Sequence, residues 1–293
     1  MGDFFRLLPV RAAWLVLLAV TFDAVAKPAL AEFNIQEAEW EKGEIELEYR
    51  GAHHWGAPSV TDANPNANDL RQSHELEFQW GITDWLLIQM TAGANQPVGE
   101  NLNFSSIEIE GEVPIVRRKG DGVGLAFQGG YEQAVNHLSA AADDGQANEW
   151  AFGPIVEFAE GPALLILNPL FTKQVGEFAD TEGLGFQYGW RGVYALNSRW
   201  GLGVEMFGEI EDLANAGSFN SQNHSLGPTL FYTLGGADDK DDDEKTRPGS
   251  KGSDVEQIPG SPEMELSLNI GVQIGLTDAA SDAALKFQGS IQF

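Results

Sequence analysis

The sequence predicts an all-β chain that closes into a transmembrane antiparallel up-and-down β-barrel of about 12 strands. Three observations carry that expectation. Apolar and polar residues alternate with period two almost throughout the chain beyond residue 40. Long polar links alternate with short turns, as long loops and short turns do at the two ends of such barrels. The N-terminus also has the form of an export signal, on a chain with no other helix-length apolar run.

In the N-terminal segment, Arg6 and Arg11 flank a charged region, Ala12 to Phe22 is apolar, and small-x-small sites follow at Ala24-Val25-Ala26 and Ala29-Leu30-Ala31. The apolar run is too short for a helix crossing a bilayer, which needs about 20 residues. Residues 1–31 are therefore expected to be a cleaved signal peptide and residues 32–293 the barrel. Cleavage would remove three of 17 basic and two of 44 acidic residues, leaving a net charge of −28, which argues against a nucleic-acid partner. With no cysteine in the chain, disulfides, thiolate metal sites and thiol nucleophiles are excluded.

The first expected strand, about Lys42 to His54, sets Ile45, Leu47 and Tyr49 against Glu44, Glu46, Glu48 and Arg50. After an Asn-, Asp- and Pro-rich loop, Gln72 to Ile82 opposes Leu76, Phe78 and Trp80 to Glu75, Glu77 and Gln79. Thr83-Asp84-Trp85 turns the chain into a third strand bearing Leu86, Ile88 and Met90. Phe104 to Val116 then alternates Ile107, Ile109 and Val113 with Glu108, Glu110 and Glu112. Strands from Val123, Glu149, Ala163, Leu184 and Trp200 repeat the pattern, the last setting Leu202, Val204 and Met206 against Glu205 and Glu209; a further strand carries Leu226, Leu230 and Tyr232. Residues 235–263 break the rhythm with an Asp-rich run followed by Pro, Gly and Ser, expected to form a disordered acidic insert. That run lacks the ligand spacing of a calcium loop. Met264 to Leu276, with Glu265 on its polar face, and Ala284 to Phe293 complete the set. Pro114, Pro154, Pro169 and Pro228 fall inside expected strands, where each removes a ladder hydrogen bond, so bulges or strand ends are expected there.

Parity assigns the faces. Charge in hydrocarbon is costly, so the Glu-bearing face is expected to line the lumen: Glu44, Glu46, Glu48, Arg50, Glu75, Glu77, Glu108, Glu110, Glu112, Arg191, Glu205, Glu209, Glu265 and Lys286. Closure of the last strand on the first would bring Lys286 near Glu46 and Glu265. Trp85, Tyr194, Trp200, Phe158 and Phe293 collect beside the short turns, as an interfacial girdle would. Short turns then mark the periplasmic side, with both termini and the acidic insert there. Two readings of the Glu wall stay open: a cation-attracting path, and a hydrated, partly salt-bridged filling.

The C-terminal strand, with Leu285, Phe287, Gly289, Ile291 and Phe293 on one face and an aromatic last residue, resembles the terminal strand of Gram-negative outer-membrane barrels. That resemblance implies a location in the outer membrane and an assembly signal at Phe287, Ile291 and Phe293, with lipid and the barrel-assembly machinery as partners. Two phrases, Phe78-Gln-Trp-Gly-Ile-Thr-Asp-Trp-Leu-Leu-Ile88 and Tyr194-Ala-Leu-Asn-Ser-Arg-Trp-Gly-Leu-Gly-Val204, resemble hairpins of outer-membrane transporters related to the MetA-pathway phenol-degradation family. What that implies is passage of hydrophobic or aromatic compounds.

Enzymatic chemistry is not expected. His53, His54, His74, His137 and His224 fall near outer strand ends or loops, with Ser73, Ser105 and Ser106 at similar height, but no nucleophile elbow or zinc motif accompanies them. No cofactor is expected. The function expected is a porin-like channel or transporter passing a small solute through an acidic lumen. The alternative is a structural or surface-interaction barrel with a plugged lumen and binding by its outer loops.

Overall fold

The computed structural model describes residues 33–58, 70–135, 147–179, 181–235 and 264–293. The expected signal peptide lies outside these residues, as do His137 and all but the first residue of the expected acidic insert. The described chain is a closed antiparallel barrel of 12 strands: β1 (Ile45–Trp55), β2 (Leu70–Thr83), β3 (Leu86–Pro97), β4 (Asn103–Val116), β5 (Gly122–Ala134), β6 (Asn148–Glu160), β7 (Ala163–Val175), β8 (Gly185–Ala195), β9 (Trp200–Ile210), β10 (Asn223–Gly235), β11 (Glu265–Gly275) and β12 (Ala283–Gln292). Each strand pairs with its sequence neighbours, and β12 closes on β1 from Glu46↔Gln292 to Trp55↔Ala283. Closure leaves no free sheet edge, as a sheet crossing hydrocarbon requires. No helix among the described residues is long and apolar enough to cross a membrane.

The pleat sorts the side chains as the alternation predicts. Leu47, Phe78, Met90, Ile109, Phe127, Leu202, Leu268 and Ile270 stand exposed on the outside, whereas Glu48, Glu77, Gln89, Gln128, Glu205 and Lys286 are buried inside. An outward apolar band around a polar interior is stable only where the outside is lipid. Ile270→Arg is expected to destabilise the folded barrel by about 2–4 kcal/mol if the residue lies at mid-membrane. Equilibrium urea unfolding in lipid vesicles reads this out, and Gln288→Arg on the inner face should cost far less.

Three strand details differ from expectation. β1 starts at Ile45 rather than Lys42, because Lys42 and Gly43 form a turn in which Gly43 has φ +90°, a conformation glycine adopts without a Cβ penalty. Glu44 consequently precedes the strand, and its carboxylate accepts the Glu41 N–H at 2.9 Å. Of the prolines, only Pro114 adjoins a bulge, whereas the other three remain within strands. Pro154 and Pro169 fall opposite each other between the pairs Phe152↔Phe171 and Val156↔Leu167, while each keeps its pairing on the other side. Two missing N–H groups thereby share one lapse in the ladder. Pro228 likewise keeps Val204 of β9 as its partner, and β10 and β11 lose pairing only between Leu226↔Ile274 and Thr229↔Gly271.

Candidate functional site

The lumen is not an empty cylinder. Residues 33–40 run inside it: Phe33 packs between His54 and Phe207, with ring centroids 5.6 and 5.0 Å away, and Trp40 donates its indole N–H to the Thr83 carbonyl at the short-turn end, 3.1 Å away. The segment belongs to no strand, so its backbone groups need other partners inside a closed wall. Side chains supply them. Asn168 Oδ1 accepts the Gln36 N–H at 2.5 Å while Asn168 Nδ2 donates to the Gln36 carbonyl at 3.0 Å, as a neighbouring strand's peptide would. Glu157 accepts the Ala38 N–H at 2.7 Å. Glu37 pairs with Arg191 at 3.3 Å and Glu39 with Arg118 at 3.0 Å.

Nothing in the local pattern announces this segment. Phe33 and Ile35 alternate with Asn34 and Gln36 for too short a run to define a strand, and the Glu37-Ala38-Glu39-Trp40 that follows reverses the phase. The one available signal is an inner wall less polar than elsewhere: Ala126, Ile155, Leu164 and Ile166 face inward and form a single buried cluster with Phe33, Ile35 and Ala38. Apolar side chains on the inner face of a barrel need something to cover them.

Around the segment, the inward cations gather carboxylates. Arg50 on β1 contacts Glu48 at 2.8 Å and Glu77 at 2.6 Å, and also pairs with Glu75. Across the lumen, Glu205 on β9 is fully buried, receives Lys286 at 2.5 Å and Arg191 at 2.7 Å, and accepts the Thr229 hydroxyl at 2.6 Å. Lys286 therefore lies against Glu205 rather than beside Glu46 and Glu265 as expected, because its side chain reaches past its strand neighbours Ala52 and Gly271. Arg118 joins Glu157 to Glu39, each at 3.0 Å.

A second set of carboxylates lines the wall beside the Arg50 cluster. Glu108, Glu132 and Glu149 are direct cross-strand partners on β4, β5 and β6, on the half of the wall nearer the long-loop end. Glu110 lies one inward step deeper and Glu112 one further, where it pairs in register with Gln128 and accepts from Gln89 at 3.0 Å. None of the described ion pairs involves Glu108, Glu110, Glu132 or Glu149. Glu132 and Glu149 were not singled out from sequence, since no run of alternating Glu flanks them. Glu209 faces Gln187, whose amide lies 3.3 Å from it, and Glu265 borders a cleft beside Asn34 and Glu37.

Two polar clefts flank the segment, of about 60 and 120 Å³. Either has room for several waters, given that one needs roughly 10–15 Å³. The larger is lined by the β4 to β6 carboxylates, by Arg50 and Glu77, and by the apolar Phe33, Phe207, Leu170 and Ala151. Among the described residues no three His, Asp or Glu side chains converge as a metal ion would require. His54 is buried at the upper lumen with neither ring nitrogen hydrogen-bonded, stacked on Phe33. His74 bonds the Tyr49 hydroxyl at 2.8 Å on the outer face, and His224 bonds Tyr188 at 3.0 Å. Ser73, Ser105 and Ser106 are buried at similar height. At the closing seam, Phe287 packs outside on Tyr49, centroids 5.7 Å apart, while Ile291 and Phe293 remain exposed. The Phe293 N–H donates to the Ile45 carbonyl at 2.8 Å.

No protein-family model and no curated protein matches the chain. Its structure is similar to that of an outer-membrane channel from Pseudomonas putida F1, with a TM-score of 0.50 at 10% identity, covering 92% of this chain and 100% of that one. It also aligns with the KdgM porin in complex with disordered oligogalacturonate (TM-score 0.46, 8% identity, 85% and 98% covered) and the NanC porin (0.45, 9%, 84% and 98%). At these identities the likeness is one of fold: a closed 12-stranded barrel of the outer-membrane channel type.

Proposed function

We propose that this protein is a non-enzymatic channel of a Gram-negative outer membrane, admitting small solutes through an acidic lumen that favours cations. The short-turn end faces the periplasm in this reading, and Phe287, Ile291 and Phe293 present the terminal strand to the assembly machinery. The observation that carries it is the lumen wall of Glu108, Glu110, Glu132 and Glu149, which enter none of the described ion pairs and outnumber the Arg50 guanidinium bordering the same cleft, inside a barrel of the channel fold. Fixed negative charge in a narrow, low-dielectric passage concentrates cations. The likeness of the Phe78 to Ile88 and Tyr194 to Val204 hairpins to MetA-pathway transporters bears on architecture more than on cargo.

Planar bilayers containing the full barrel under a KCl gradient test this. A reversal potential on the cation side is expected, moving toward zero in Glu108→Gln/Glu132→Gln. An anion-side potential would overturn the selectivity, and conductance no greater than that of bare lipid would overturn the channel. The filling of the lumen by residues 33–40 favours a second reading, a plugged barrel that binds partners through its loops, and absence of conductance in every variant would select it.

A further inference from the structure

We propose that the larger luminal cleft is a binding site for an extended organic dication of the alkyl-diammonium class, held by Glu108, Glu110, Glu132 and Glu149 with Gln128. The inference deepens the channel reading, and rests on it only in that the ligand reaches the lumen from solution.

Like charges set directly opposite on neighbouring strands are destabilising. Glu108, Glu132 and Glu149 form two such contacts in succession. Of the described inward cations, Arg50 borders the same cleft but is ion-paired to Glu48, Glu75 and Glu77, while Arg191 and Lys286 pair with Glu205 and Arg118 with Glu157. These carboxylates are therefore neutralised either by protons or by cations from outside the described protein.

Gln128 is the independent observation. Its side chain is 1% exposed, it borders the same cleft, and neither its amide oxygen nor its amide nitrogen has a hydrogen-bond partner. A buried, unbonded amide is costly, and a ligand N–H would satisfy Oε1. Glu110 Oε1 and Glu132 Oε1 are likewise buried acceptors without a donor. Apart from the Gln128 amide nitrogen, the site thus offers acceptors and negative charge, which suits a ligand made of N–H donors.

The dispersion of those acceptors selects among cations. Among the described residues no three carboxylates converge on one point, so a compact metal ion could not engage them together. Positive charges spaced along a chain could. The cleft is also lined by Phe33, Phe207, Leu170 and Ala151, apolar groups against which methylene groups would be desolvated. A flexible alkyl chain with an ammonium group at each end matches both sets of groups.

Isothermal titration of the full, detergent-solubilised barrel with 1,4-diaminobutane, 1,4-butanediol and Mg²⁺ tests the site. Saturable binding is expected for the diamine, none for the neutral diol, and at least tenfold weaker binding for Mg²⁺. Glu108→Gln/Glu132→Gln should weaken the diamine at least tenfold and Gln128→Leu several-fold, whereas Glu160→Gln, exposed at a short turn, should leave it unchanged. Heat-modifiable electrophoretic mobility verifies that each variant is folded. Undiminished affinity in the double variant, or Mg²⁺ binding as tight as the diamine, would overturn the proposal. Because binding is read without current, a barrel that binds but does not conduct removes the channel reading alone, and one that conducts but does not bind removes this site alone.

Discussion

Deletion of residues 33–39 is expected to raise single-channel conductance several-fold while leaving the barrel folded. The segment occupies the lumen from the Phe33–Phe207 contact to the short-turn end and is held by side chains rather than by a strand ladder. Its removal adds cross-section along most of the passage. The wall should survive because each cation the segment engages keeps a second carboxylate: Arg191 retains Glu205 and Arg118 retains Glu157. What is lost is cover for Ile155, Leu164 and Ile166, so some stability should go with it. Retaining Trp40 keeps its bond to Thr83 and its contact with Arg117, whose guanidinium lies 5.2 Å from the ring centre. Glu37→Gln/Glu39→Gln, which weakens two anchors without shortening the chain, should give brief excursions to the larger conductance. Planar-bilayer recordings read both, and a deletion variant with unchanged conductance would show that the segment does not limit passage.

The second large effect is thermodynamic. Arg50→Met is expected to destabilise the barrel by about 3–5 kcal/mol, the usual result of removing one partner from a buried ionic cluster. Arg50 is the shared cation of Glu48, Glu75 and Glu77, all buried, and these lie on adjacent strands at the closing side of the barrel. Without it they face one another across Glu48↔Glu77, a direct cross-strand pair. Adding Glu77→Gln to Arg50→Met should recover a substantial part of the loss, because it removes that repulsion and leaves an amide able to bond its neighbours. Urea midpoints of the refolded proteins in vesicles measure both. Full stability in Arg50→Met would mean that water already solvates this cluster well.

Much of the wall could be anticipated from residue order. Glu46, Glu48 and Arg50 are inward because Ile45, Leu47 and Tyr49 are outward, and the pleat admits no other arrangement within one strand. The same logic places Glu108, Glu110 and Glu112 between Ile107, Ile109 and Val113. Parity says nothing about distance, however. It puts Lys286 in the lumen but not against Glu205, since that contact depends on how far a long side chain reaches across the interior. Glu132 and Glu149 carry no signature of their own and become part of a site only through register with Glu108.

The amino-acid sequence by itself determined the class of the fold, its strand number and the face on which each strand residue lies, because period-two patterning and loop length are local properties of the chain. Only the tertiary structure decided what fills the barrel. Residues 33–40 belong to no strand, so no periodicity marks them, and their place in the lumen follows from partners more than a hundred residues away, such as Asn168 and Glu157. Which carboxylates are matched by a cation and which are left to face the cleft is settled by the same long-range geometry, since electrostatic pairing depends on separation in space and strand alternation encodes direction alone.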